Sequence, residues 1–165
     1  MLIQAVGIPT AFFFVDPEVR NMMISTKGRY ALRVMIDLAE HDNGEYVVLM
    51  DIAKREELSE KYLEGILASL SHAGFVKALR GRGGGYKLAR APETYTVGSI
   101  LKLTSGSYAP VSCLDDEKNH CERSGRCNTL PMWMKLNELI NDFFESVTLA
   151  DLMAKPEEAA EILEE

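Results

Sequence analysis

Cysteine is absent from the first 112 residues of this 165-residue chain, and all three cysteines, Cys113, Cys121 and Cys127, then fall within fifteen positions. An odd, clustered set does not make the framework of a secreted disulfide protein. It suits a shared ligand or a redox switch in a reducing compartment, so a cytoplasmic location is expected. Long apolar runs are also lacking. The stretch from Gly7 to Val15 is short, is interrupted by Pro9 and has no basic region before it. Neither a signal peptide nor a membrane span is expected from it. A Gly-Lys-Ser/Thr phosphate loop is missing. The one glycine-rich run is followed by a strand pattern rather than a helix, so it is not a dinucleotide fingerprint. No nucleophile–base set and no paired catalytic carboxylates occur on a recognisable scaffold. The chain therefore reads as a non-enzyme with no catalytic residue. No internal repeat is present.

An excess of positive charge is lacking overall, since the net charge is -7. Its distribution is uneven. Eleven basic and nine acidic residues lie between Ser25 and Arg90, against seven and sixteen in the rest. Nucleic acid responds to the local footprint rather than to the sum. From Lys77 to Arg90 the basic residues Lys77, Arg80, Arg82, Lys87 and Arg90 occur without one acidic residue. With 47% apolar residues, the chain can build a core, and its length fits one domain.

Helical periodicity begins only after Met23, so residues 1–22 read as an extension of the kind that a misplaced start codon yields, with a short extra arm as the plain alternative. Ala31, Val34, Met35 and Leu38 recur at helical spacing over Ile24–Glu40, and Asp42-Asn43-Gly44 closes that helix as a turn. Val48–Glu56 is a short second helix. Ser59 caps a third, with Leu63, Ile66, Leu67 and Leu70 as its stripe and Ala73-Gly74 as its stop. Two helices so closely joined fit a helix-turn-helix. Phe75–Leu79 and Tyr86–Ala89 then read as two strands around the tip Arg80-Gly81-Arg82-Gly83-Gly84-Gly85, which makes a wing. The expected fold is mainly α with a small two-stranded β-wing: a winged helix-turn-helix over 23–92 plus a long C-terminal dimerisation helix. A linker helix capped by Thr96 and the cysteine-bearing loop fill 93–130, the dimerisation region spans 131–153, and 154–165 is an acidic tail.

DNA contact is expected from the polar face of the third helix, through Ser59, Glu60, Lys61, Tyr62 and Ser69, because the N-terminal residues of such a helix reach base edges first. Glu64 fits a cytosine amine or the rejection of wrong sequences. Arg80 and Arg82, with Gly83 and Gly84 allowing close approach, fit a narrow minor groove and its phosphates; a solvated hairpin tip is the plain alternative. Lys27, Arg29 and Tyr30 join the DNA-facing set. Basic residues at a helix start are opposed by the helix dipole, and an external anion supplies a reason for them. Leu136, Leu139, Ile140, Phe143 and Val147 form a broad apolar stripe on the last helix, and Trp133, Leu136, Ile140, Phe143 and Val147 are read as a dimer interface, since so small a protein exposing such a stripe needs a partner.

Ser25-Thr26-Lys27-Gly28-Arg29-Tyr30-Ala31-Leu32, Leu58-Ser59-Glu60-Lys61-Tyr62-Leu63-Glu64, Arg80-Gly81-Arg82-Gly83-Gly84-Gly85-Tyr86 and Thr148-Leu149-Ala150-Asp151-Leu152 together resemble the IscR, NsrR and CymR type of bacterial winged-helix regulators over roughly Met23–Met153. The resemblance implies a transcriptional regulator, with repression as the expected output, acting as a homodimer on near-palindromic double-stranded DNA. It also implies, for some members, a [2Fe-2S] cluster on three cysteines, here Cys113, Cys121 and Cys127. The spacing C-x7-C-x5-C is wider at its first gap than the C-x5-C-x5-C often seen. Leu130 stands where one branch places a histidine ligand, and Arg29 where another places an aspartate. The fourth ligand is therefore unassigned among Asp115, Asp116, Glu117, His120, Glu122 and the partner subunit. Zinc, a metal-free thiol switch and plain surface cysteines stay open beside the cluster, as does a cysteine-metabolism regulator. A winged helix used for protein contact, and a modulating protein partner, also stay open.

Overall fold

The computed structural model of the chain describes residues 24–115, 119 and 121–153. The extension at 1–22, the acidic tail, and Asp116, Glu117 and His120 lie outside the described residues. Helix α1 (Thr26–Glu40) starts two residues later than its periodicity suggests. Ser25 keeps an extended backbone and its hydroxyl accepts the Gly28 N–H, which fixes the first turn. Helix α2 (Leu49–Glu56) ends where Glu57 turns left-handed at φ 55°. Helix α3 (Glu60–His72) opens on Ser59, whose side chain accepts from the Tyr62 N–H.

Strands β1 (Val76–Leu79) and β2 (Gly85–Leu88) pair antiparallel, with Val76 opposite Leu88 and Leu79 opposite Gly85. The wing is moored at both ends. Val47, ahead of α2, exchanges two backbone hydrogen bonds of 2.9 and 2.8 Å with Tyr86. At the root, the Tyr95 hydroxyl donates to the Phe75 carbonyl at 2.8 Å and accepts the amides of Ala89 and Arg90 at 3.1 and 2.9 Å. Gly85 lies so close to the Val47 carbonyl that a Cβ there would collide with backbone, and Gly83 takes φ 77°. The glycine run is thus required by the hairpin itself as well as by any approaching ligand.

Helix α4 (Val97–Ser105) is capped by Thr96, which accepts the Ser99 N–H. Irregular chain with two short 3-10 turns, Ser112–Leu114 and Ser124–Arg126, leads to helix α5 (Leu130–Ser146), with Pro131 in its first turn. After α5 the chain returns beside the start of α4: Thr96 bridges Thr148, the Val97 N–H donates to Val147 O, and the Leu149 N–H donates to Tyr95 O.

Two apolar clusters result. The larger joins Val34, Met35 and Leu38 of α1, Leu63, Ile66, Leu67 and Leu70 of α3, the strand residues Val76 and Leu88, and Tyr95, Ile100 and Leu149. Each fully buried aliphatic contributes about 1.5–3 kcal/mol relative to exposure. The smaller holds Val97, Leu101, Tyr108 and Val147, with Ile140 and Phe144 of α5 packed against it. Within the larger unit Asp37 is buried, 3% exposed, and Arg55 of α2 clamps both its oxygens at 2.6 and 2.8 Å. The Asp37 hydrogen bond raises the Arg55 pKa above its ordinary value, and this two-pronged pair fixes α2 against α1. Among the described residues no helix is long and apolar enough to cross a membrane.

Candidate nucleic-acid interface and cysteine loop

Helix α3 divides cleanly. Leu63, Ile66, Leu67 and Leu70 are buried, and Glu60, Lys61, Tyr62 and Glu64 are exposed on the other side. Ser59 is exposed but spends its hydroxyl on the helix cap. Lys27 of α1 reaches across to this face, its Nζ donating to Ser69 Oγ at 2.9 Å. The Tyr30 and Tyr62 rings meet edge to face at 5.9 Å. Lys27, Tyr30, Tyr62 and Ser69 therefore form one continuous surface. Arg29 is exposed beside it and donates to Thr26 Oγ1. Arg33, also near the helix start, is committed elsewhere: it pairs with Glu56 at 2.7 Å and stacks over Tyr30.

The basic stretch of the wing sorts the same way. Lys87 donates to the Gly44 carbonyl and sits 4.6 Å over the Tyr46 ring. Arg90 lies over Phe75 and Tyr95 at the wing root. Arg80 and Arg82 stand exposed at the tip with Gly83, while Gly84 is half-buried. Between the C-terminal half of α3 and the wing runs a groove lined in part by Ser71, His72 and Arg80. A helix with a polar outer face and a cationic hairpin beside it is an arrangement that spans a groove and its flanking phosphates.

The cysteine loop is the second candidate site. Cys113 lies in the turn Ser112–Leu114, Cys121 precedes the turn Ser124–Arg126 and Cys127 ends it. All three are free and half-buried. Among the described residues, no group of three or more His, Cys, Asp or Glu side chains is gathered as a metal site requires. The three thiols in this arrangement do not fit a cluster. Cys127 instead lies 3.4 Å from Thr129 Oγ1. The Thr129 hydroxyl, then the backbone amides at the start of α5 and the charge of Arg123, hold its thiol below the ordinary cysteine range.

Helix α5 buries no residue fully within the subunit. Met132, Met134, Leu139 and Phe143 are exposed, whereas Trp133, Leu136 and Ile140 are half-buried. Val147 differs from the other residues of the sequence-derived interface: it is 6% exposed and packs into the smaller internal cluster. It lies just past the helix, where the backbone has turned extended. Leu139 and Met132 extend the outer face with Phe143 instead, and Met134 is exposed on another side of the helix. The periodicity showed Leu139; Met132, one turn before Leu136, continues the same stripe and was missed, whereas Met134 falls off it.

A polar seam joins α4 to α5. Lys102 Nζ contacts Glu145 Oε1 at 2.7 Å, and Thr96 Oγ1 donates to Glu145 Oε2 at 2.7 Å. Lys102 and then Thr96 draw the Glu145 carboxyl below its usual range. Burial pushes the neighbouring Tyr108 phenol up, and its hydroxyl is buried with no hydrogen-bond partner among the described residues.

Comparison with known proteins bears on both sites. Residues 24–155 match the Rrf2 family, described as an iron-dependent transcriptional regulator. The HTH-type transcriptional regulator IscR of Erwinia tasmaniensis is 37% identical over 136 residues, 82% of this chain and 81% of that protein. The HTH-type transcriptional regulator CymR of Bacillus subtilis is 39% identical over 131 residues, 79% of this chain and 89% of that protein. The solved structure of B. subtilis CymR, described as the global cysteine regulator, superposes with a TM-score of 0.64 at 36% identity, covering 79% of this chain and 95% of that one. That of T. potens IscR gives 0.62 at 37%, covering 79% and 85%. With the winged fold and these matches in hand, the chain belongs to the Rrf2 family of DNA-binding winged helix-turn-helix transcriptional regulators, a family of regulators and not of catalysts.

Proposed function

We propose that the protein represses transcription as a homodimer on a near-palindromic operator and that the thiols of its cysteine loop, without a preformed cluster, receive the signal. The observation that carries the DNA reading is the single surface made by Lys27, Tyr30, Tyr62 and Ser69 beside the exposed Arg80 and Arg82. The N-terminal residues Glu60, Lys61 and Glu64 of α3 face the bases, the wing enters the adjacent minor groove, and Lys27 and Arg29 hold phosphate. The outer face of α5 pairs two copies and so spaces two recognition helices by a helical turn or a multiple of it.

The thiol reading rests on three free cysteines not gathered as a metal site requires, one of them acidified by Thr129; a disulfide, like a cluster, needs its side chains to come together. An oxidant of the peroxide or disulfide class would take two electrons and two protons from a pair of these thiols, leaving one S–S bond. That would draw the loop toward one conformation at the start of α5. The similarity to cysteine regulators fits this reading. The family's iron-dependent description favours a second one, a [2Fe-2S] cluster on Cys113, Cys121 and Cys127, which requires the three side chains to regroup.

Iron, zinc and sulfide analysis of anaerobically purified protein, with operator binding measured before and after diamide and again after a reductant, separates the readings. Metal-free protein whose affinity changes with diamide and returns on reduction supports the thiol switch. Two irons and two sulfides per subunit, with a visible spectrum lost in Cys121→Ala, transfer the signal to a cluster. Stoichiometric zinc replaces both. A salt-independent or absent shift of duplex DNA overturns the regulator reading as applied to this surface.

A further inference from the structure

Beneath the cysteine loop, the C-terminal half of α4, the segment after it and the middle of α5 enclose a cleft of about 680 Å³. Its size falls within the range of small-molecule sites, but its wall is mostly polar. Among the described residues Lys102, Ser107, Tyr108, Asp115, Asn137 and Asn141 line it, with Gly106, Ala109 and Leu114 between them. We propose that this cleft is an effector site for a small zwitterion of the free α-amino acid class.

Three observations point to that class. The lining carries one ammonium and one carboxylate, Lys102 and Asp115, which matches a ligand bearing one charge of each sign. Lys102 gives one of its donors to Glu145, and an ammonium has three, so it can also hold a ligand carboxylate. Asn141 donates from Nδ2 to the Asn137 carbonyl, which leaves its Oδ1 and the whole Asn137 amide to pair with ligand donors and acceptors. Finally, the Tyr108 ring lines the same wall 5.8 Å from Lys102 Nζ, so the cationic end of the cleft has a fixed position.

The position gives the site a consequence. Asp115 lies two residues after Cys113, Asn137 and Asn141 belong to α5, and Lys102 ties α4 to α5 through Glu145. Helix α4 in turn packs on α1 where Gly28 leaves no room for a side chain against Ser105. An occupant would therefore join the cysteine loop, the outer helix and the DNA-reading half. Binding itself stands apart from the regulator reading above; only its effect on DNA rests on that reading.

The test is thermal denaturation of the full-length protein, without DNA, with each of the twenty L-amino acids at millimolar concentration. The amino acid giving the largest shift is then compared with its N-acetyl and carboxamide derivatives by calorimetry. At least one free amino acid should raise the melting temperature, and both blocked derivatives should bind at least tenfold more weakly. Asn137→Leu and Asp115→Ala should weaken binding by a similar factor while their unligated melting and circular dichroism stay as in the parent. No shift with any amino acid, equal binding of the blocked derivatives, or undiminished binding by folded Asn137→Leu overturns the assignment. Loss of operator binding with retained amino-acid binding would overturn the regulator reading alone.

Discussion

The DNA-reading half and the α5 half of this subunit are built on opposite terms. In the first, α1 and α3 each sink a full stripe into one cluster, hydroxyl caps start both helices, and Arg55 at the surface of α2 pairs with buried Asp37. In the second, a seventeen-residue helix buries none of its own residues fully and leaves Met132, Met134, Leu139 and Phe143 exposed. The first is complete within one chain. The second leaves apolar surface uncovered within the subunit. A regulator gains from that division, because the reading surface must not change while its spacing must.

The contrast can be broken most severely at α5. Leu139→Asp with Phe143→Asp should yield a folded monomer by light scattering, with operator affinity reduced a hundredfold or more, since one half-site is lost. An unchanged dimer would place the interface elsewhere. Leu63→Ala strikes the other half and should cost about 2–5 kcal/mol of stability in denaturant unfolding, as expected for a buried leucine. The equivalent Leu139→Ala, measured at low concentration where the chain is monomeric, should cost under about 1 kcal/mol. Arg82→Ala should weaken operator binding by about 1–3 kcal/mol and lower selectivity without changing the melting temperature. Lys27→Ala should reduce specific and non-specific binding alike and lower the slope of log affinity against log salt by about one.

The smallest expected effect is on pH dependence at the junction of the two halves. Thr148 draws Asp151 below the usual aspartate range, so the folded form holds this proton less tightly than the unfolded chain. Its stabilisation is present above the unfolded aspartate value and disappears as pH falls through the lower folded one. Asp151→Asn should therefore flatten the acid side of a stability–pH curve slightly, with no change near neutrality in its slope.

Much of the first half could be read from the chain because its signals are local. The spacing of Ala31, Val34, Met35 and Leu38, the stripe on α3, and the caps at Ser59 and Thr96 all lie where periodicity and cap chemistry put them. What escaped depends on distant partners. Asp37 looks like one more solvated charge on a helix until Arg55, eighteen positions on, is folded against it. Tyr95 sits in a segment without periodicity, yet it latches both ends of the wing root. Lys102, Tyr108 and Glu145 form their seam across forty residues, and nothing in their spacing announces it. The cysteines were visible at once, but their number and clustering fixed neither a common ligand nor a pairing.

Leu149 has a consequence for synthesis. It is fully buried in the larger cluster and bonded to Tyr95, although the ribosome makes it more than fifty residues later. While α5 and the cysteine loop are still being translated, the DNA-reading core lacks one of its walls. At about 5–20 residues per second, that interval lasts several seconds. A nascent or prematurely ended chain therefore lacks one wall of its helix-turn-helix core until the residues after α5 have been made.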